Sequence, residues 1–253
     1  MRRNIKALFI VFIVLALISP NSASQETKPE QTQPKPLEDI NDILSWQSII
    51  SPTTSNNGRW FAYRLGPAEG DSKVFIKDTQ GDIVYNFPVG EGSRSGSGEI
   101  AFSEDSKWAA FSIYPTRSEA KNLRKQKKNI YNNASLINLA SGEKIDFEKI
   151  SRFMFSGENP SWIAFHKYPP EGQAKELEKW KGSNLILFEL ATKKELNIGN
   201  VSVFAFNKSG QWLAWIIDAH GQSGNGVQIR NMKTGVILPL DTDKAEYLSL
   251  IHI

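Results

Sequence analysis

Gly221-Gln222-Ser223-Gly224-Asn225 is the closest this chain comes to a serine nucleophile. A serine presented on a strand-to-helix elbow needs the pattern G-x-S-x-G, because the strained turn leaves no room for larger neighbours. Here asparagine stands where the last glycine belongs, and the segment falls between two strand-like runs, so it reads as a loop. His166 and His220 are far apart and make no metal-ligand spacing; His252 lies next to the last residue. His166 reads as a structural residue closing a core strand, and His220 as a solvated loop residue. Glu176, Glu178 and Trp180 sit in an insertion, Glu171 to Lys181, whose carboxylates could pair with a cationic peptide end. A solvated arm is the plainer reading of that insertion. The run Gly90 to Gly98 fits neither a dinucleotide-binding nor a P-loop spacing and reads as a flexible connection. No catalytic, cofactor-binding or metal-binding residue is assigned, and no cofactor is expected.

The elements around these residues carry a clearer signal. Four times the chain writes tryptophan, any residue, alanine, aromatic: Trp60-Phe61-Ala62-Tyr63, Trp108-Ala109-Ala110-Phe111, Trp162-Ile163-Ala164-Phe165 and Trp212-Leu213-Ala214-Trp215. The tryptophans recur about every 50 residues, which marks one supersecondary unit copied in series. A turn precedes each copy: Asn56-Asn57-Gly58, Glu104-Asp105-Ser106, Glu158-Asn159-Pro160 and Lys208-Ser209-Gly210. A second hairpin follows each copy, reversing at Thr79-Gln80-Gly81, Ser141-Gly142, Thr192-Lys193 and Thr234-Gly235. Two hairpins per period predict a four-stranded sheet.

Within each motif the first and third residues share one face of the strand (the odd face), and the second and fourth share the other (the even face). Both faces are largely apolar, so both must be covered. Sheets stacked face to face satisfy this. The prediction is an all-β, incomplete β-propeller of about four four-stranded blades, near residues 48–97, 98–150, 151–200 and 201–247. A β-sandwich would not require the phrase to recur at this period. Two insertions interrupt the pattern: the one already named, and the basic Arg117 to Asn129, which reads as helical.

The flanks read as processing and connection. Arg2, Arg3 and Lys6 followed by apolar Ala7 to Ile18 and the small Ser22-Ala23-Ser24 predict a cleavable signal peptide over residues 1–24. The apolar run is short for a membrane span. Export to the periplasm or beyond is therefore expected, without stable membrane insertion after cleavage. Residues 25–36 are polar and proline-rich and read as a linker. The net charge of +3 equals the three basic residues of the signal, so the remainder is neutral, and no nucleic-acid partner is expected. The lack of cysteine excludes a thiol nucleophile and a lipid-modified N-terminal cysteine. Residues 248–253 resemble a translated sequencing adapter, so the propeller is placed at 37–247, with its coding sequence expected to continue beyond Tyr247.

Leu37 to Ile49, Asn56 to Asp78, Lys167 to Gly172, Leu196 to Trp215 and Gly224 to Gly235 together resemble the propeller of secreted bacterial S9-family serine peptidases, relatives of prolyl oligopeptidase and dipeptidyl peptidase. The resemblance covers nearly all of the chain after the signal. It implies a propeller that gates short peptides towards a C-terminal α/β-hydrolase domain whose Ser, Asp and His lie outside this sequence. Stand-alone periplasmic propellers of the TolB type, which bind a protein or peptide, carry similar phrases and are the alternative.

Overall fold

Alternating residues in the motif strands decide the architecture, because each strand offers an apolar stripe to both sides of its sheet. The computed structural model describes residues 40, 43, 46–92, 99–169, 182–247, 249 and 250. The segments expected to be a signal peptide (residues 1–24) and a linker (25–36), residues 93–98 of the glycine-rich run, the insertion bearing Glu176, Glu178 and Trp180, and His252 lie outside the described residues.

The first sheet is antiparallel, with β1 (Gln47–Thr54), β2 (Trp60–Pro67), β3 (Ser72–Asp78) and β4 (Val84–Gly90) in sequence order. The second repeats it with β5 (Ile100–Phe102), β6 (Trp108–Ile113), β7 (Asn133–Asn138) and β8 (Lys144–Phe147). The remaining strands are β9 (Ile150–Phe155), β10 (Trp162–Lys167), β11 (Ser183–Glu189), β12 (Glu195–Phe206), β13 (Trp212–Ile217), β14 (Gly226–Asn231) and β15 (Ile237–Thr242). They join into one seven-stranded sheet. The sharing of β12 explains the count. Its residues Glu195 to Ile198 pair with β11, and Val201 to Phe206 pair with β13. Asn200, at φ 56°, bends the chain between the two halves, so one strand ends the third unit and begins the fourth. The protein is therefore all-β, built of four propeller blades in series.

Three cores lie between consecutive blades, and each joins the odd face of one blade to the even face of the next. The odd face of blade 1 (Trp60, Ala62, Ile76) meets the even face of blade 2 (Ala109, Phe111, Ile137). The odd face of blade 2 (Trp108, Ala110, Leu136) meets Ile163, Phe165 and Phe188 of blade 3. Ala164 and Leu187 of blade 3 meet Leu213 and Trp215 of blade 4. The small alanine lets the neighbouring sheet come close enough for aromatic stacking: Phe87 lies 5.2 Å from Phe111, and Phe147 lies 4.0 Å from Phe165.

The hairpin before each motif is closed by a side chain that the motif itself does not contain. Ser55, Ser103 and Asn207 stand five residues before their tryptophans, and Ser156 stands six before. The side-chain oxygen of each accepts from the tryptophan backbone N–H, at 3.0, 3.0, 2.9 and 3.2 Å respectively. Neighbouring turns also touch. Gly210 adopts φ 72°, and a Cβ there would fall 1.8 Å from the Ser156 carbonyl oxygen, so only glycine fits. The basic insertion forms helix α1 (Arg117–Lys125), started by a capping box in which Thr116 and Glu119 serve each other's backbone N–H groups. Among the described residues no helix is long and apolar enough to cross a membrane.

Candidate functional site

Ser223 lies between β13 and β14, just past a short 3-10 turn over His220–Gln222. The residues around it line an open cleft of about 470 Å³ together with Thr242, Asp243 and Lys244. No helix follows Ser223, and the serine is exposed, so the segment is a loop between blade strands and not an elbow. Among the described residues no group of three or more histidine, aspartate or glutamate side chains is placed to hold a metal.

One serine and one histidine do meet, where the sequence reading placed only a structural histidine. Ser183 Oγ lies 2.9 Å from His166 Nε2. That is the spacing of a nucleophile and its base. The proton inventory rules the role out. His166 Nε2 also lies 2.7 Å from the Val201 carbonyl, which can only accept, so Nε2 carries the hydrogen. The Ser183 hydroxyl spends its own proton on the Lys167 carbonyl at 2.6 Å. Nε2 thus donates towards both oxygens and has no lone pair to offer the serine. Burial holds the imidazole below its ordinary pKa, with the nearby Arg152 charge acting in the same direction, so the neutral ring is favoured. The pair is a lock that ties β10 and β11 to the first strand of blade 4.

A second lock of the same kind sits two blade junctions earlier, between blades 1 and 2. Arg64, two residues after the motif alanine as His166 is, is buried and donates from Nε to Glu99 Oε2 at 3.1 Å. Ser51 Oγ reaches the same carboxylate oxygen at 3.3 Å, and Arg64 also approaches Ser72 Oγ at 3.5 Å. Tyr114 packs on the guanidinium at 5.6 Å, and burial and its bond to Glu99 push its phenol up. A Cβ on Gly92 would sit 2.5 Å from the Tyr114 ring and 2.6 Å from Arg64, so the lid of this cluster is glycine. The charges are mutually neutralised and enclosed, which suits joining blades and not attacking a substrate.

Next to it, α1 and blade 2 enclose an open cleft of about 510 Å³, lined by Ile113, Tyr114, Leu123, Gln126 and Tyr131 among others. Its walls are apolar and aromatic with amide groups at the edge, a lining that can hold a side chain by burial and hydrogen bonding. The outer side of α1 carries exposed Lys121, Arg124 and Lys125. Sequence reasoning identified the helix but missed the cleft, because Tyr114 and Tyr131 are brought together across an insertion.

No protein-family model and no curated protein sequence matches the chain. Among solved structures it is similar to the β-propeller domain of the Trilobed protease from Pyrococcus furiosus, at 11% identity and a TM-score of 0.46, covering 78% of this chain and 58% of that one. It is similar to a structure from a study of two prolyl endopeptidases, at 14% identity and a TM-score of 0.47, covering 79% of this chain and 30% of that one. It is similar to TolB from Acinetobacter baumannii, at 13% identity and a TM-score of 0.38, covering 78% of this chain and 44% of that one. The chain thus spans less than two thirds of each of these proteins.

Proposed function

We propose that this chain is the substrate-gating propeller part of an exported S9-type serine peptidase acting on short peptides. The observation that carries the reading is a pair of sheet faces, one on each end blade, that are only partly covered along the motif strand. Tyr63 and Phe61 on the even face of blade 1, and Ala214 and Trp212 on the odd face of blade 4, are partly exposed where their counterparts in the middle blades are mostly buried. A propeller covers such faces with further blades. The ordered segments quoted above that resemble the S9 propeller support the peptidase reading over other propellers. In the whole protein, chemistry would be acyl transfer by a serine activated by histidine, with backbone donors for the oxyanion. The propeller's part is steric: it limits entry to short, unfolded peptides. The residues in hand bind and exclude; none reacts, and the chain alone should hydrolyse nothing.

The test is to recover the gene past the codon for Tyr247 and assay the full product on short chromogenic peptides. A G-x-S-x-G elbow, downstream Asp and His, and turnover abolished by replacing the elbow serine are expected. A stop codon after further blades, with no hydrolase segment, would overturn the peptidase reading in favour of a TolB-like binding propeller.

A further inference from the structure

Helix α1 is held at its start, and its remainder carries charge that nothing answers. Asp71 Oδ1 accepts from the Arg117 backbone N–H at 2.7 Å, the Arg117 guanidinium pairs with Glu69, and Ala120 is buried. Both acids stand on the loop between β2 and β3. With the capping box, these contacts fix the first turn in place. Lys121, Arg124, Lys125, Lys127 and Lys128 then follow within eight residues, and no aspartate or glutamate occurs from Lys121 to Gly142. All five cations are exposed, and among the described residues none of them is ion-paired. Helix stability does not explain the cluster. Cations in the last turn complement the helix dipole, which accounts for Arg124 and Lys125. Lys121 stands three and four residues before them, where like charges repel, and Lys127 and Lys128 add to that repulsion past the helix end. A self-repelling cluster on an anchored helix is complementary to an anionic partner.

The cleft between α1 and blade 2 narrows the class of partner. We propose that α1 and this cleft bind an acidic polypeptide segment: its carboxylates pair with the cations of α1, and one bulky apolar side chain enters the cleft. Ile113, Leu123 and Tyr131 give the cleft an apolar and aromatic lining within its volume of about 510 Å³. Asn122 and Gln126, one turn apart on the helix, stand in the same lining, and among the described residues their side-chain amides bond to nothing. Each amide offers a donor and an acceptor, which is what an extended peptide backbone needs from a partner. A further cation, Lys149, lies 5.2 Å from the ring of Tyr131, so positive charge adjoins the cleft on blade 2 as well as on α1. A membrane surface fits less well. The apolar residues of α1 are Ala120 and Leu123, buried and half-buried, so the helix presents no apolar face to enter lipid. The site is built from the insertion and blade 2, so it depends neither on the peptidase reading nor on how the series of blades continues.

Fluorescence anisotropy on the full chain tests this with a dye-labelled synthetic peptide of glutamates around one central phenylalanine. The peptide is expected to bind, and to bind about tenfold more weakly when Lys125→Glu and Lys128→Glu reverse two of the cations. A comparable loss is expected for the wild-type chain when salt is raised from about 0.05 M to about 0.5 M. Lys194→Glu with Lys233→Glu makes the same change in net charge at exposed positions on the β11–β12 and β14–β15 turns, and should leave the affinity unchanged. Replacing the peptide's phenylalanine by glycine, or Asn122→Ala with Gln126→Ala in the protein, should weaken binding about threefold or more. The proposal is wrong if the peptide does not bind, or if the distant pair of reversals weakens it as much as the pair on α1. Indifference to the phenylalanine or to the two amides overturns the role of the cleft. Phosphatidylglycerol vesicles or a single-stranded oligonucleotide of equal charge, competing as well as the unlabelled peptide, would assign the surface to lipid or nucleic acid and overturn the polypeptide partner. The salt and phenylalanine comparisons use the wild-type chain, so they decide the matter even where a variant fails to fold.

Discussion

The middle blades and the end blades carry the same motif and end up in different environments. In blades 2 and 3, Ala109, Phe111, Ile163 and Phe165 are fully buried, and so are Ala110 and Ala164 on the opposite faces. In blade 1 only the odd face reaches that state, and in blade 4 only the even face is closed along the motif. The strand sequence therefore creates the demand for burial, while the position of the blade in the series decides whether it is met. The lesson extends to polar groups. Arg64 and His166 occupy the same motif-relative position, and each reaches a partner at the start of the following blade. Ile216, at that position in blade 4, is apolar.

The comparison is broken most directly at the motif aromatic. Phe165→Ala removes a ring stacked on Phe147 inside a core and should cost about 3–5 kcal/mol. Tyr63→Ala, at the same motif position on an open face, should cost less than about 1 kcal/mol. Urea denaturation of both variants checks the pair, and equal losses would mean that the faces are not different. At the blade 1–2 junction, Arg64→Met alone leaves Glu99 buried without its cation and should cost about 3–5 kcal/mol. Adding Glu99→Leu should recover most of that loss in the same denaturation series, since an apolar pair avoids the desolvation penalty.

Hairpin caps give a smaller contrast. Ser103→Ala strands the buried Trp108 N–H and should cost about 1–3 kcal/mol. Asn207→Ala in blade 4 removes a cap that is exposed, where water can take its place, so its melting temperature should fall less than that of the Ser103 variant. The smallest expected effect is that of His166 on acidification. Its folded pKa is lowered, so the unfolded chain takes up the proton first. The corresponding stability is complete above the ordinary histidine pKa and is lost as pH falls through the lower folded value. Thermal melts at pH 7.5 and 5.5 should show the loss in the parent and a smaller one in His166→Gln.

Much of the fold was legible because strand alternation and turn chemistry are local. The Trp-x-Ala-aromatic phrase and its flanking turns predicted the four blades. The caps were legible too, though unread: Ser55, Ser103 and Asn207 each stand five residues before a tryptophan. Ser223 was correctly read as a loop residue from its missing glycine. The Ser183–His166 contact and the Arg64–Glu99 pair were not legible as pairs, since no local rule links residues 17 or 35 positions apart in a chain of repeats.

By itself the sequence determined that this chain forms strands apolar on both sides, in units of four, because side-chain direction alternates along any extended backbone. Only the tertiary structure decided which side of each sheet is covered and by which neighbour. It also decided where a serine's proton goes and which two faces remain open. Those outcomes depend on groups that meet across blade junctions, and alternation within one strand carries no record of what lies opposite it.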